Sequence, residues 1–462
     1  MADIFQNIGD AIFFWMAWII IPFIMEILPA IGGFIILVKK HFTLKKSTQS
    51  LEGRFPEITI IVPVYNSADT LYDCIKSIND STYPNELIDI LLVNNMSTDN
   101  SFDVYRQLQN DYKDLAIQWL NSKQGKSKAL NLALFNAKGK YIVHIDSDGL
   151  LDKDAIENIV TRFECNEDIH CMTGAIMVNP ELVDNTKGFA KRLLRKCEFF
   201  EYAQAFLAGR NFQSEFDSVF TLSGAFSAFR KSTILKTQMY NTDTLCEDTH
   251  VTLQIRKILK QKVHLCENAI FYVEPIENVS RLYLQRQRWQ RGELEVAHMF
   301  LEKEMKLVKG FASNFMIRVI IFDHTFAFPR MIWYFALLCL MLFYYDLSLV
   351  LGSIAIIFTL YILSAFLFYM VILGYLKSKP DIKKYYRTKW YLCILMPLYN
   401  LMVFWFRFAG IINGINTSSS WRARTPDEES DAFRTVVRKD FKHVASLFGK
   451  LRKVANNEAD IN

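Results

Sequence analysis

No C-x-x-C pair, no H-E-x-x-H helix and no Cys/His cluster occurs anywhere in the chain, which sets aside zinc chemistry. Eight cysteines are scattered over 462 residues without an even framework. That is the pattern of reduced thiols facing the cytosol or sitting in lipid-embedded helices, not of a secreted disulfide scaffold. Internal repeats and low-complexity tracts are missing as well. The amino-terminal stretch has neither a basic start nor a small-residue cleavage site, so it reads as a retained segment rather than a signal peptide. Net charge is only +5, and the basic residues lie beside apolar segments instead of along one face. Nucleic acid is therefore disfavoured as a partner, and contact with a lipid bilayer surface is favoured.

What the chain does have is apolar bulk. Apolar residues make up 51%, charged residues 22%, and the mean hydropathy is +0.10, a balance that predicts a soluble domain attached to membrane segments. Residues 11–38 are apolar, broken by Pro22, Glu26 and Pro29. Asp3 and Asp10 precede them, and Lys39, Lys40, Lys45 and Lys46 follow, which orients residue 40 onward toward the cytosol. Glu26 costs about 3 kcal/mol at mid-bilayer and is expected to face another helix or a watery channel, or to be tolerated by bending at the prolines. Further on, Phe311–Phe328 reads as an interfacial helix, and Met331–Tyr345 and Leu347–Leu376 as spans joined outside at Asp346. The loop with Lys377, Lys379, Lys383, Lys384, Arg387 and Lys389 belongs inside. The last apolar stretch, Trp390–Ile415, has basic residues on both sides, so it is either bent or re-entrant with a cytosolic tail, the preferred reading, or it exports a basic tail. The expected division is 1–50 membrane segment and basic linker, 51–300 cytosolic α/β domain, 301–416 interfacial and membrane segments, and 417–462 basic tail.

Between 54 and 300 apolar runs alternate with helical stretches. Ile58–Val64, Ile88–Val93, Ala116–Trp119 and Tyr141–Ile145 read as strands, with helices near 69–80, 99–111 and 127–137 between them. This order predicts a doubly wound, Rossmann-like parallel sheet. Its carboxyl edge gathers Tyr65-Asn66, Asn94-Asn95 and Asp146-Ser147-Asp148 around one crevice, where open α/β sheets bind ligands. Two carboxylates one residue apart at a strand end suit Mg²⁺ or Mn²⁺, which takes one or two carboxylates and completes its shell with water and a diphosphate. The plainer alternative is a loop Asp pair capping the next helix. Gln124-Gly125-Lys126-Ser127 is not a P-loop, because Leu120 stands where the first glycine is required. It opens a helix whose amino end, with Lys126, suits phosphate.

Val62-Pro63-Val64-Tyr65-Asn66, Asn94-Asn95-Met96-Ser97-Thr98-Asp99, Gly125-Lys126 to Asn131 and Asp146-Ser147-Asp148 resemble the successive blocks of inverting family 2 glycosyltransferases with the GT-A fold. Phe220-Thr221-Leu222-Ser223-Gly224-Ala225-Phe226 resembles the family's acceptor-side loop and Cys246-Glu247-Asp248 its T-E-D motif. Gln285-Arg286-Gln287-Arg288-Trp289 matches the Q-[QR]-x-R-W signature of processive, membrane-bound members, which include poly-N-acetylglucosamine, hyaluronan and cellulose synthases. Met396-Pro397-Leu398-Tyr399 and Trp421 are similar to the closing segment and tail of the first of these.

The resemblance implies roles. Pro63, Tyr65, Asn66, Asn94, Lys126 and Asp146 would line the nucleotide-sugar (UDP-sugar) site, with Asp148 and Asp146 at a Mg²⁺ or Mn²⁺ ion. Asp248 would be the general base beside Glu247; its other reading is a helix cap contributing about 1 kcal/mol. Ser223, Gly224, Gln285, Arg288 and Trp289 would face the acceptor and diphosphate, the last three sharing one helix face, or Trp289 would simply pack that helix on the membrane surface. Two positions depart from the family's habit: Asn94-Asn95 stand for a common Asp-Asp, and Cys246 stands for threonine. The helical segment 187–206, basic on one side, suits either anionic lipid or packing on the sheet. The implied activity is transfer with inversion, processive, to a growing glycan or lipid-linked acceptor, by a multi-pass plasma-membrane enzyme with a cytosolic catalytic domain. Single-sugar transfer to a lipid carrier or glycolipid, and a non-catalytic nucleotide-sugar sensor, are the alternatives.

Overall fold

A computed structural model describes residues 16, 18–20, 22–44, 55–244, 246–301, 328–342 and 347–416. The expected interfacial helix lies outside these residues but for Phe328, as do the basic tail with Trp421, and Asp3, Asp10 and Asp346. The chain enters through a π-helical turn, Phe23–Ile27, and helix α1, Leu28–Leu44. Glu26 is buried, and Ser364 Oγ donates to its backbone carbonyl at 3.3 Å. At the far end Lys40 Nζ donates to Asn211 Oδ1 at 2.5 Å and Glu267 Oε1 at 3.1 Å, and Lys39 pairs with Glu215 at 2.8 Å. The basic end of this helix thus rests on the α/β domain.

Strands β1 (Ile58–Val64), β2 (Ile88–Asn94), β3 (Ala116–Asn121) and β4 (Tyr141–Ile145) lie in the order 3-2-1-4, all parallel. They fall within two residues of the strands read from sequence. β1 and β4 are buried along their whole length, as continuous apolar runs in a sheet covered on both faces should be. Helices α2 (Leu71–Asn79), α3 (Ser101–Asp111) and α4 (Lys126–Asn136) make the crossovers. Helix α2 buries Leu71, Cys74, Ile75 and Ile78, an i, i+3, i+4, i+7 stripe, each aliphatic one contributing about 1.5–3 kcal/mol. Pro63 has no N–H for a ladder, yet it sits in a central strand. Pairing of β1 with β4 ends at Ile61↔His144, so Pro63 has β2 on one side only, and the strands splay there into the crevice.

The second half, for which no strands were read from sequence, is mixed. After β5 (Gly149–Leu151), α5 (Ala155–Glu164) and β6 (Cys171–Val178), the chain enters β7 (Phe226–Arg230) from the loop at the carboxyl edge, not through a crossover helix. It therefore runs back antiparallel to β4, Tyr141↔Arg230 to Ile145↔Phe226, and antiparallel to β6. β8 (Val263–Val273) pairs parallel to β6 and antiparallel to β5, completing the order 3-2-1-4-7-6-8-5.

Helix α6 (Phe189–Tyr202), continued by a π-helical turn Ala203–Gly209, buries Cys197, Phe199, Phe200 and Tyr202. Phe200 stacks on Tyr386 at 4.3 Å, so its apolar face packs on protein, while Lys187, Lys191 and Arg192 stay exposed. Helix α7 (Glu247–Leu253) and helix α8 (Val279–Leu301) carry the T-E-D-like and Q-R-Q-R-W segments. Then come α9 (Phe328–Leu342), α10 (Leu347–Tyr375), α11 (Pro380–Thr388) and α12 (Leu392–Asn416). Among the described residues three helices are long and apolar enough to cross a membrane: Trp18–Lys40, Leu347–Ser378 and Leu392–Asn413. α9 covers 15 described residues. α12 runs beside α8: Phe406 meets Tyr283 at 5.2 Å, and a Cβ at Gly410 would lie 3.1 Å from Gln287 Cα. Phe368, Val371, Tyr386, Leu392 and Met396 join the same apolar core as β1, β4 and β6, so α10, α11 and α12 share one interior with the sheet.

Candidate active site

The carboxyl edge of the parallel half is built from asparagines and serines that tie successive loops together. Asn66, at φ 50, takes the left-handed conformation asparagine tolerates best, and its Oδ1 accepts Thr98 N at 2.8 Å. Asn94 Oδ1 accepts Ser97 N at 2.8 Å while its Nδ2 donates to Asn121 Oδ1 at 3.0 Å; Trp119 Nε1 donates to that same oxygen at 3.1 Å. Asn95 Oδ1 accepts Gly125 N at 2.5 Å. The two asparagines that depart from the family's habit are thus loop braces, with both side-chain oxygens already engaged. Tyr65 is exposed, Pro63 is buried within β1, and Ser147 Oγ lies 2.7 Å from Ser67 Oγ beneath the edge.

At the end of β4 the charged groups converge on Lys126, the first residue of α4. Its Nζ donates to Asp146 Oδ1 at 2.5 Å and to Gly224 O at 3.3 Å, and lies 3.6 Å from Glu247 Oε1. Burial alone would push the ammonium down; Asp146 and Glu247 outweigh it and hold its pKa above the usual lysine value. Asp148 is pushed up to about 6 by burial and by Asp146 beside it, with Lys126 opposing. Asp248 is also pushed up to about 6, by burial and then by Glu247, with Thr249 N–H and Lys126 opposing. Asp148 and Asp248, 100 residues apart in sequence, thus share one cationic neighbour.

Asp248 is aimed by the backbone. Gly224 N donates to its Oδ2 at 3.0 Å and Thr249 N to its Oδ1 at 2.7 Å. A Cβ at Gly224 would lie 3.0 Å from Oδ2, so glycine is what lets that loop reach the carboxylate. The cap position of α7 belongs to Cys246 and not to Asp248, which is the helix's second residue. Cys246 is buried with Phe220, Leu253 and Val296, and a Cβ at Gly292 of α8 would meet its Sγ at 2.1 Å; cysteine here packs two helices together. Ser223 is buried, its N donating to Thr173 Oγ1 at 3.1 Å.

Gln285, Arg288 and Trp289, at i, i+3 and i+4 of α8, differ in burial and partners. Gln285 Oε1 accepts Arg286 NH1 at 2.6 Å, Arg288 is exposed, and Trp289 is half-buried against Tyr202 and Phe206, ring centroids 6.4 and 6.3 Å away. The buried cation is instead Arg286, 4.4 Å over the Trp289 ring and 2.6 Å from Glu201. The sequence reading missed that pair. It also missed His144, fully buried, whose Nε2 is 3.7 Å from Asp146 Oδ1 and whose pKa burial and Lys126 push down to about 3. The polar residue in an otherwise apolar strand was the available signal for His144. No group of three or more His, Cys, Asp or Glu that would hold a metal unaided occurs among the described residues.

Residues 59–236 match the family model described as glycosyl transferase family 2. The chain is 26% identical over 281 residues to a poly-beta-1,6-N-acetyl-D-glucosamine synthase of Staphylococcus epidermidis, covering 60% of this chain and 64% of that one. It is 27% identical over 265 residues to the synthase of the same name from Staphylococcus aureus strain MSSA476, covering 55% and 59%. The chain therefore spans somewhat under two thirds of the length of these relatives. Among solved structures it is similar to a mannosyltransferase from Pyrobaculum calidifontis in complex with GDP-Man and Mn²⁺, at TM-score 0.46 and 17% identity over 85% of this chain and 99% of that one. A TarS fragment from S. aureus in complex with UDP-GlcNAc matches at TM-score 0.37 and 13% identity over 73% and 91%.

Proposed function

We propose that the chain, whose residues 59–236 match the family model described as glycosyl transferase family 2, is a membrane-embedded enzyme that transfers sugar, with inversion, from a nucleotide-sugar to a growing surface polysaccharide. The observation that carries the reading is the convergence of Asp146, Glu247 and Gly224 on Lys126, with Asp248 oriented by Gly224 N. The domain faces the cytosol, where the basic ends Lys39-Lys40 and Lys379 dock on it. The relatives' name puts an N-acetylglucosamine nucleotide first among donors to try.

Asp248 accepts the proton of the acceptor hydroxyl as that oxygen bonds to the anomeric carbon from the side opposite the diphosphate. The carbon–oxygen bond to the diphosphate breaks, and the nucleoside diphosphate leaves with the electron pair. Two fixed backbone N–H groups hold the carboxylate in line, and a pKa near 6 keeps it ionised yet basic at neutral pH. Lys126 sets its charge where the leaving diphosphate gains its own. Asp146 and Asp148 fit a divalent cation: they are separated by one residue, and their repulsion, which raises Asp148, is what such an ion relieves. When bound, Mg²⁺ or Mn²⁺ would offset the diphosphate charge.

Full-length protein in detergent, given Mg²⁺ or Mn²⁺ and a panel of nucleotide-sugars, tests this by nucleoside diphosphate release and product length. A ladder of products is expected. One product of fixed mass overturns processivity in favour of transfer to a lipid carrier; donor binding without release overturns the enzyme in favour of a sensor.

A further inference from the structure

A buried charged junction joins the signature helix to a membrane helix. Glu201, near the end of α6, accepts Arg286 NH2 of α8 at 2.6 Å and Tyr399 OH of α12 at 2.7 Å on the same oxygen, Oε2. Its other oxygen faces Arg407 of α12 at 3.9 Å. Arg286 is 1% exposed and lies 4.4 Å over Trp289 and 5.7 Å over Tyr202. The order of contact is therefore α12, Glu201, Arg286, Trp289. Close backbone approach of α12 to α8 at Gly410 and the Phe406–Tyr283 contact run along the same seam.

An ion pair this deep serves a purpose besides stability, since two apolar side chains would fill the space at no greater cost. What the charges add is direction. A planar guanidinium gripped from one side by a carboxylate has one orientation, and its flat face is turned onto the indole. Removing the carboxylate's charge frees Arg286 to turn and Trp289 to follow, while Asp146, Asp148 and Asp248 keep their own partners.

We propose that Glu201 is a positioning residue for acceptor binding: through Arg286 it fixes the Trp289 ring as the surface on which the growing glycan rests, and through Tyr399 and Arg407 it ties that surface to α12. The inference rests on the glycosyltransferase reading and adds the part of the chain that sets how the acceptor is held.

Glu201→Gln in the full-length protein tests it. Donor binding and acceptor-independent nucleoside diphosphate release are expected to stay within about twofold, while the acceptor KM rises about tenfold and products shorten. Glu201→Asp, which keeps the charge, should recover part of the loss. If Glu201→Gln does not accumulate in membranes, Tyr399→Phe removes one hydrogen bond and leaves every charge, and should raise the acceptor KM about threefold. Equal loss of donor binding and transfer, or an unchanged acceptor KM in these variants beside an active wild type, overturns the positioning role alone. A wild type that turns over no donor overturns the glycosyltransferase reading and the inference with it.

Discussion

The loops along the carboxyl edge of the parallel half and the seam toward the apolar helices α1 and α12 hold their polar groups in different ways. At the edge, neutral side chains brace loops through hydrogen bonds: Asn94 to Ser97 and Asn121, Asn95 to Gly125, Asn66 to Thr98. At the seam, buried charges do the joining: Glu201 with Arg286, and Glu267 with Arg162 at 2.6 Å and Lys40 at 3.1 Å. Neutral braces contribute about 1 kcal/mol each and leave the edge's charge to Lys126, Asp146 and Asp148 at the end of β4, so those loops are tied together without engaging these groups. A buried ion pair losing one member costs several times more, which suits elements that must not part.

The largest expected effect removes the site's chemistry without touching either kind of support. Asp248→Asn should lower kcat by about 10²–10⁴-fold, the range of a lost general base, with donor affinity unchanged by equilibrium binding. Full activity in that variant would dismiss Asp248 as the base. At the seam, Glu267→Gln leaves Arg162 and Lys40 facing no carboxylate and should destabilise the protein by about 3–5 kcal/mol in thermal unfolding in detergent. The same group has a pH signature. Burial alone would raise its pKa, but Arg162 and Lys40 hold it down at about 2 against an ordinary 4.5. Its contribution is therefore fully present above pH 4.5 and is lost as pH falls toward 2. A wild type losing no more stability than Glu267→Gln over that window would show the pair adds nothing. Smaller again is the acid limb of activity. Asp148 and Asp248 both lie at about 6 in the free protein and both act ionised, so kcat/KM should fall tenfold or more per pH unit below 6 and level off above 7.

The parallel half could be read from sequence almost residue by residue, because continuous apolar strands alternating with amphipathic helices leave one arrangement for four strands. Asp146 and Asp148 were legible for the same reason, since strand ends converge wherever the strands are parallel; Glu247 and Asp248, at the start of a helix, were read only from a motif resemblance. β7 was not, since nothing in Phe226–Arg230 records that it is entered from the crevice side. Arg286 was passed over in favour of Arg288 because helical spacing gives a face but not which face is buried. Glu201 decides that, from 85 residues away. Asn94 was read as a donor contact from a motif; its oxygen also accepts Ser97 N three residues on, a local bond that motif comparison does not weigh.

That bond yields the smallest and most discriminating expectation. In Asn94→Asp one carboxylate oxygen can still accept Ser97 N, but the other replaces a donor and faces Asn121 Oδ1. Turning the Asn121 amide over relieves this contact and creates another, because its nitrogen would then meet Trp119 Nε1–H, which now donates to the oxygen at 3.1 Å. One mismatch survives either way, costing about 0.5–1.5 kcal/mol in thermal unfolding, with donor KM within about twofold and product length untouched. Adding Asn121→Ala removes the conflict, so the double variant should lose less than the sum of the two single ones. A hundredfold change in donor KM from Asn94→Asp alone would mean that residue 94 meets the donor's charge directly, and the contrast between loops braced by neutral side chains and a seam joined by charges would fail at its first member.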